Sequence, residues 1–212
     1  MAYFPFFMEA EGMDCLIVGG GMVALRKVQV LLEYGAAIRV VAPDQTAEIQ
    51  ALAGEGIIRL YARGFEFQDL DNAQAVIAAT SDEELNRQIS AECRKRRIPV
   101  NVVDVKEECS FIFPALVKDG DIVVGISTGG ASPAMARQLK QDIREAIPKG
   151  AGEVAAWLKS CRPFVKEQVD SQPVREAVFK ELTRRALSQG RGLTQEEVYD
   201  IVRKVPITAL RG

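Results

Sequence analysis

The sequence of 212 residues contains no histidine. This absence removes the usual imidazole base, the commonest metal ligand and every nucleophile that depends on a histidine partner. Cysteine is also scarce, and the four thiols at positions 15, 93, 109 and 161 form no CxxC pair. This spacing argues against a zinc site and against a disulfide framework. We therefore expect unpaired thiols in a reducing compartment and predict a cytoplasmic protein.

Long apolar runs and an excess of one charge are missing as well. No stretch approaches the roughly 18 apolar residues of a membrane span, and the short apolar N-terminus lacks a basic region and is interrupted by Pro5, unlike a signal peptide. With 27 basic and 29 acidic residues the formal net charge is -2. We therefore expect neither a nucleic-acid partner nor a membrane partner.

The chain does contain, in its first half, short apolar segments that alternate with longer amphipathic ones. This rhythm is typical of βαβ units around a parallel sheet, and strands that are apolar on both faces fit a sheet covered by helices on both sides. The predicted strands are residues 15–18, 37–42, 57–61, 75–79 and 99–103, and the predicted helices are 23–33, 45–53 and 82–96. The fold class is therefore α/β with a Rossmann-like parallel sheet.

The second half has a different pattern. Residues 115–126 predict two strands around an Asp-Gly turn, and a lone hairpin with unpaired edges invites pairing with another chain. A helix should follow, with Ser132 as its N-cap and Pro133 in its first turn, and run to about Ala146. The remainder has helical spacing without strands. We predict three domains: a Rossmann-like domain at 1–113, a dimerisation region at 114–147 that makes the protein a homodimer, and a helical domain at 148–212.

A glycine motif stands between the first strand and the first helix. Gly19, Gly21 and Ala24 fit the G-x-G-x-x-A pattern of dinucleotide-binding turns in the context that this pattern requires. Gly19 would make the tight turn and Gly21 would leave room for a pyrophosphate. The amides of Met22 and Val23 would then bind that pyrophosphate at the helix N-terminus. The alternative is a glycine turn that binds nothing.

The ends of the second and fourth strands supply further cofactor candidates. Pro43 and Asp44 follow the second strand, where an acid usually reads the adenosine ribose, so NAD is favoured over NADP. Arg39 lies within that strand and could complicate the preference. Thr80 ends the fourth strand at the face where a nicotinamide would lie. Asp44 could instead be a turn residue, and Thr80 could instead cap the next helix.

Several segments together closely resemble the siroheme-synthase family, and more narrowly its precorrin-2 dehydrogenase and sirohydrochlorin ferrochelatase module. The segments are residues 14–27, 77–80, 101–104, 110–114 and 127–133. The resemblance implies an enzyme that oxidises precorrin-2 to sirohydrochlorin with NAD. In some members the enzyme also inserts ferrous iron. It further implies a Rossmann domain, an interdigitated dimer and a small helical domain.

The resemblance also places site residues. The family's catalytic carboxylate falls on Asp104, and a serine that is phosphorylated in some fused members falls on Thr128. Asp104 follows the fifth strand, at the edge where such sheets bind ligands, and a carboxylate can accept a proton as hydride leaves. Without the resemblance Asp104 could be a turn acid beside Lys106.

A tetrapyrrole substrate carries many carboxylates, so basic side chains should line its cleft. Arg137 and Lys140, three residues apart on the helix after the Thr128 loop, are the candidates. Two other readings of the chain remain open at this point. One is a non-catalytic module that senses NAD(H), and the other is a redox enzyme for a different small substrate.

Overall fold

The computed structural model describes residues 3–209, with side chains through residue 204. Residues 1–2 and 210–212, at the ends of the first and last predicted domains, lie outside the described residues. The chain divides into two compact units, Met1–Phe113 and Pro114–Gly212. In the described range, no helix combines the length and apolar character that a membrane crossing requires.

The first unit contains a five-stranded parallel sheet with the order β3-β2-β1-β4-β5. Its strands are β1 (Asp14–Val18), β2 (Ala37–Val41), β3 (Arg59–Tyr61), β4 (Ala75–Ala78) and β5 (Val100–Val102), and its helices are α1 (Met22–Leu32), α2 (Ala47–Gly54) and α3 (Glu83–Arg96). The strand order reverses between β1 and β4, and such sheets bind ligands in the crevice at this point. The prediction of an α/β Rossmann-like fold is confirmed.

Alternating side chains of the strands supply two separate cores. Cys15 and Ile17 of β1 pack in the cluster that includes Leu25 and Val28 of α1. Leu16 and Val18 of β1 pack in the other cluster, with residues of α3 such as Ile89. Because both faces of β1 are covered by helices, the strand is apolar at nearly every position.

Two predicted boundaries in this unit were wrong by a few residues. The second helix begins at Ala47 rather than at residue 45, because the Thr46 side chain accepts a hydrogen bond from the Ile49 amide at 3.3 Å and caps it. The third strand begins at Arg59 rather than at residue 57. The preceding amides of Ile57 and Ile58 instead bond the Leu52 carbonyl and end α2.

The second unit begins with an antiparallel hairpin and continues with helices. The hairpin strands are β6 (Ala115–Asp119) and β7 (Ile122–Ile126), and the helices are α4 (Pro133–Ala146), α5 (Ala151–Gln168), α6 (Gln172–Gln189) and α7 (Gln195–Ala209). The α4 boundary agrees with the sequence prediction, since the Ser132 hydroxyl accepts a hydrogen bond from the Met135 amide at 3.1 Å. A third core lies among α5, α6 and α7 and includes Val154, Leu182 and Ile201.

Candidate functional site

The glycine loop between β1 and α1 is held tightly by two neighbouring loops. Gly19 has a φ of +122°, and a Cβ there would lie 2.3 Å from the Ala79 carbonyl oxygen. A Cβ on Gly20 would lie 2.1 Å from the Asp44 carbonyl oxygen. Both positions therefore exclude any larger residue. The need for glycine at position 20 is not visible in the sequence, because Asp44, which packs on it, is distant along the chain.

Gly21 has the opposite surroundings. Apart from Gly21 itself and its two chain neighbours, no atom of the described residues comes within 4 Å of a Cβ built on Gly21, so this side of the loop faces open space. Gly21 is the N-cap of α1, no described side chain caps this helix end, and its first turn contains no acidic residue. The amides of Met22 and Val23 therefore stand at a positive helix terminus without a competing anion. This arrangement suits a bound phosphate group.

The loop after β2 is brought against the glycine loop. The Thr46 amide donates to the Gly20 carbonyl at 2.9 Å, and the Pro43 and Asp44 side chains are exposed beside it. Asp44 therefore lies at the carboxyl edge of the sheet, defined here as the edge where the parallel strands end.

Arg39 points away from this edge. Its Nε lies 2.8 Å from the Asp14 carboxylate, and its Nη1 donates to the Asp69 carbonyl at 3.0 Å. Asp14 is the first residue of β1, at the opposite end of the sheet from the glycine loop. Arg39 is thus held at the edge of the sheet where the parallel strands begin. Its side chain is therefore not placed to favour NADP over NAD.

Thr80 follows β4, but its hydroxyl is already engaged within the protein. The Thr80 Oγ1 lies 2.8 Å from Oδ1 of the buried Asn86 and accepts from the Asp82 amide at 3.1 Å. The α3 cap itself is Asp82, whose carboxylate accepts from the Leu85 amide at 3.0 Å. Thr80 therefore shapes the turn that leads into α3, at the same edge as Gly19.

Asp104 stands just beyond β5 at the carboxyl edge. The Val103 amide donates to the Ala78 carbonyl at 3.0 Å, which continues the pairing of β5 with β4. The next residue, Asp104, has a φ of +62° and an exposed side chain. Val18, Ala78 and Val102 lie in one row of the sheet, so two strand spacings, about 10 Å, separate Gly19 from Val103, the residue before Asp104.

The segment after Asp104 is anchored to β5 by a buried thiol. The Cys109 Sγ accepts from the Val102 amide at 3.2 Å and lies 3.3 Å from the Val105 carbonyl. Asn101, also buried, donates to the Phe111 carbonyl at 3.1 Å. Burial raises the pKa of the Cys109 thiol, so the thiol acts as a neutral structural group. These contacts fix the backbone on both sides of Asp104.

Lys27 of α1 contacts the end of the segment that follows Asp104, a contact that the sequence did not predict. Its Nζ lies 4.0 Å from the centroid of the Phe113 ring, and its side chain is half-buried. Burial lowers the pKa of Lys27, and the negative charge of Asp104 opposes this effect. Its position in the sequence could have indicated this contact. Lys27 stands three residues after Ala24 and one before Val28, both of which are buried in the core.

The predicted substrate residues belong to the second unit. The Thr128 hydroxyl pairs with the Ser132 amide and carbonyl, each at 3.2 Å, and so closes the loop before α4. Arg137 is exposed and Lys140 is half-buried on α4. The first unit brings the glycine loop, Asp44, Thr80 and Asp104 to one sheet edge. Substrate binding by Thr128, Arg137 and Lys140 stays a prediction.

The fold and the carboxyl edge define a dinucleotide-binding protein. A family model of NAD(P)-binding domains matches residues 6–115, and the chain belongs to this family. The prediction of a nicotinamide dinucleotide as cofactor is thereby confirmed at the level of NAD(P). A second family model, for the central part of sirohaem biosynthesis proteins, matches residues 119–146.

Curated relatives make the similarity more specific. The siroheme synthase of Thioalkalivibrio sulfidiphilus (strain HL-EbGR7) is 43% identical over 182 residues, which cover 86% of this chain and 37% of the relative. That of Pseudomonas entomophila (strain L48) is 44% identical over 166 residues, which cover 78% of this chain and 36% of the relative. The chain thus spans little more than a third of these relatives. The resemblance to the siroheme-synthase family is confirmed.

A solved structure shares the fold. The structure of SirC, a precorrin-2 dehydrogenase, matches with a TM-score of 0.74 and 24% sequence identity, over 96% of this chain and 99% of that one. At this level of identity the match supports the architecture.

Proposed function

We propose that the protein is an NAD-dependent dehydrogenase that oxidises precorrin-2 to sirohydrochlorin. The observation that carries this proposal is the shared sheet edge. An uncapped helix N-terminus with open space in front of Gly21 and an exposed carboxylate at Asp104 both flank the point where the strand order reverses. The similarity to siroheme synthases supplies the substrate class.

The residues present suit a bound NAD. The amides of Met22 and Val23 would hold the pyrophosphate, and Asp44 would accept hydrogen bonds from the adenosine ribose. Arg39 lies at the opposite edge of the sheet, paired with Asp14 at 2.8 Å, and Arg63, just beyond β3, is paired with Asp69 at 2.6 Å. This pairing favours NAD over NADP. When bound, the nicotinamide supplies the hydride acceptor for the oxidation.

Asp104 supplies the proton acceptor. Oxidation of the substrate removes two electrons and two protons, of which one proton and both electrons leave together as the hydride. The second proton goes to the Asp104 carboxylate, and because this side chain is exposed it can pass the proton to water. A positioned carboxylate base of this kind typically accelerates a reaction by about 10²–10⁴-fold.

A direct assay tests the proposal. Precorrin-2 and NAD are added to the purified chain without oxygen, and NADH and sirohydrochlorin are followed by their absorbance. We expect the two products in equal amounts and at rates proportional to enzyme. If the chain binds NAD but forms neither product, the dehydrogenase proposal is overturned, and the reading as an NAD(H) sensor gains support.

We also propose that the partner of the second unit is another copy of the chain. The hairpin has only two strands, and such a pair needs further packing to be stable. No residue of α4 is fully buried. Ala136 and Ile143 of α4 and the C-cap residue Ile147 are half-buried, whereas Met135 and Leu139 of α4 are 58% and 39% exposed. The rest of the chain therefore covers only part of the apolar stripe on α4, as expected for a homodimer contact.

Insertion of ferrous iron, with the ion as substrate, stays a prediction from the resemblance. Among residues 3–209, no group of three or more metal-ligating side chains is placed to hold a metal ion. In the proposed chelation the macrocycle would supply most of the ligands to the metal ion, and the Asp104 carboxylate would accept the pyrrole protons. Incubation of sirohydrochlorin with ferrous ion, without oxygen or NAD, tests this activity. Acceleration over the protein-free rate would support it, and an unchanged rate would refute it.

A further inference from the structure

The side chain of Asn86 holds the turn between β4 and α3. Asn86 belongs to α3 and is 5% exposed. Its Oδ1 accepts from the Thr80 hydroxyl at 2.8 Å and from the Thr80 amide at 3.4 Å, and its Nδ2 donates to the Thr80 carbonyl at 3.0 Å. One buried amide group therefore bonds the hydroxyl and both backbone groups of Thr80. A fully paired buried network of this kind makes the local structure rigid.

The turn that Asn86 holds packs directly on the glycine loop. The Ala79 amide donates to the Val18 carbonyl at 2.8 Å, which continues the pairing of β4 with β1. A Cβ on Gly19 would lie 2.3 Å from the Ala79 carbonyl oxygen and 3.1 Å from the Thr80 nitrogen. Because this contact leaves no free space, a shift of Thr80 would displace Gly19 and the start of α1.

This turn also borders the crevice of the sheet. The strand order reverses between β1 and β4, and the turn follows β4 at the carboxyl edge, where such sheets bind a dinucleotide. Since Asn86 already engages the polar groups of Thr80, the turn acts on a bound dinucleotide through its position.

We propose that Asn86 is a positioning residue for the bound dinucleotide. By holding Thr80 against Gly19, its side chain keeps the first amides of α1 directed at the pyrophosphate. The inference rests on the proposed function and deepens the account of its cofactor site. Asn86 itself contacts neither the cofactor nor the substrate and transfers no proton.

The NAD affinity of Asn86→Ala, measured by calorimetry on the folded protein, is the first test. Misalignment of one hydrogen bond between an amide and a phosphate should weaken binding about tenfold or more. Ser90→Ala is the matched control: Ser90 is a buried polar residue of the same helix, but its hydroxyl donates to the Glu108 carbonyl at 2.7 Å, in the segment after β5. This control should lose stability and keep the wild-type NAD affinity. Unchanged affinity in Asn86→Ala, or equal losses in both variants, would overturn the inference.

Steady-state kinetics separate a positioning role from a general loss of packing. In Asn86→Ala the KM for NAD should rise about tenfold. The KM for precorrin-2 and the kcat at saturating NAD should stay at wild-type values, as expected when only a binding interaction is lost. A smaller folded fraction lowers kcat and leaves both KM values unchanged, so that result would show a merely structural role and overturn the inference.

If Asn86→Ala fails to fold, Asn86→Asp decides the outcome with nearly the same side-chain shape. At alkaline pH its carboxylate would face the Thr80 carbonyl, which Nδ2 of Asn86 bonds in the wild-type protein, so NAD should bind more weakly than to the wild type. As the pH falls, the protonated acid can donate to this carbonyl, and the affinity should return to the wild-type value. The neighbouring carboxyl groups of Asp82 and Glu83 are common to both proteins and cancel in the comparison. Equal affinities of the two proteins at every pH would overturn the inference.

The binding experiments also separate this inference from the proposed function. A chain that binds NAD and loses affinity in Asn86→Ala, but does not oxidise precorrin-2, overturns the dehydrogenase proposal and supports the positioning role. An active wild-type chain whose NAD affinity is the same in Asn86→Ala overturns the positioning role alone. A wild-type chain that does not bind NAD in calorimetry overturns both.

Discussion

Gly21→Ala should abolish most dinucleotide affinity while leaving the fold intact. The surroundings of Gly21 explain both the intact fold and the loss of affinity. The backbone at Gly21 has a φ of -80°, which alanine adopts without strain, and apart from this residue and its two chain neighbours no described atom lies within 4 Å of the new Cβ. The methyl group would instead occupy the space in front of the Met22 and Val23 amides, where we place the pyrophosphate.

The size of the effect follows from the contacts that the methyl group would block. A hydrogen bond to a charged group contributes about 1.5–3 kcal/mol. Loss of one amide–phosphate bond should therefore weaken NAD binding by about 10- to 150-fold. The stability should change by only a few tenths to about 1 kcal/mol, since glycine and alanine differ by about this amount at an N-cap.

Isothermal titration calorimetry with NAD, together with chemical unfolding, measures both quantities. Gly20→Ala is the matched control, because its Cβ would lie 2.1 Å from the Asp44 carbonyl oxygen. This clash with the backbone should cost about 1–3 kcal/mol or more of stability. Wild-type NAD affinity in a folded Gly21→Ala protein would refute the placement of the pyrophosphate at this helix.

Three further predictions concern other parts of the chain. Hydrogen bonds from Arg63 hold the pKa of Asp69 below its usual value, so this stabilisation is complete above the unfolded pKa of about 3.9 and is lost as the pH falls through the lower folded value. Asp69→Asn should lower the free energy of unfolding by about 1–3 kcal/mol at neutral pH, near the lower end because Arg63 is 37% exposed. The variant should also lose most of the acid dependence of stability in urea unfolding. Identical stability curves for the wild-type and variant proteins at acid pH would contradict the assignment. Leu139→Glu should yield monomers in sedimentation experiments while Gln141→Glu, on the opposite face of α4, stays dimeric, and equal masses for both variants would argue against this interface. Asp44→Ala should weaken NAD binding about tenfold, the loss of one charge-assisted bond, and unchanged affinity in calorimetry would remove its ribose role.

Local sequence signals were sufficient where a short segment determines its own structure. The strand β1, the turn at Gly19 and the helix α1 follow one another within twenty residues, and the change from an apolar run to glycines to helical spacing identifies all three. Ser132 and Pro133 likewise define the start of α4 through an N-cap and a favoured first-turn residue.

The remaining features depend on residues that are distant along the chain. The need for glycine at position 20 arises only when the Asp44 loop packs on it. Arg39 reaches Asp14 across the sheet, a contact that the sequence pattern of β2 does not reveal. Lys27 meets the Phe113 ring only after α1 and the segment after β5 pack on one core. Packing, rather than local preference, determines these contacts.

The most direct test of the account is the rate of NADH formation from precorrin-2 by Asp104→Asn. Asparagine is the suitable replacement because Asp104 has a φ of +62°, a conformation that asparagine adopts readily and alanine does not. We predict that NAD affinity and stability stay at wild-type values while the rate falls about 100-fold or more. A rate equal to that of the wild-type enzyme would contradict the assignment of Asp104 as the proton acceptor.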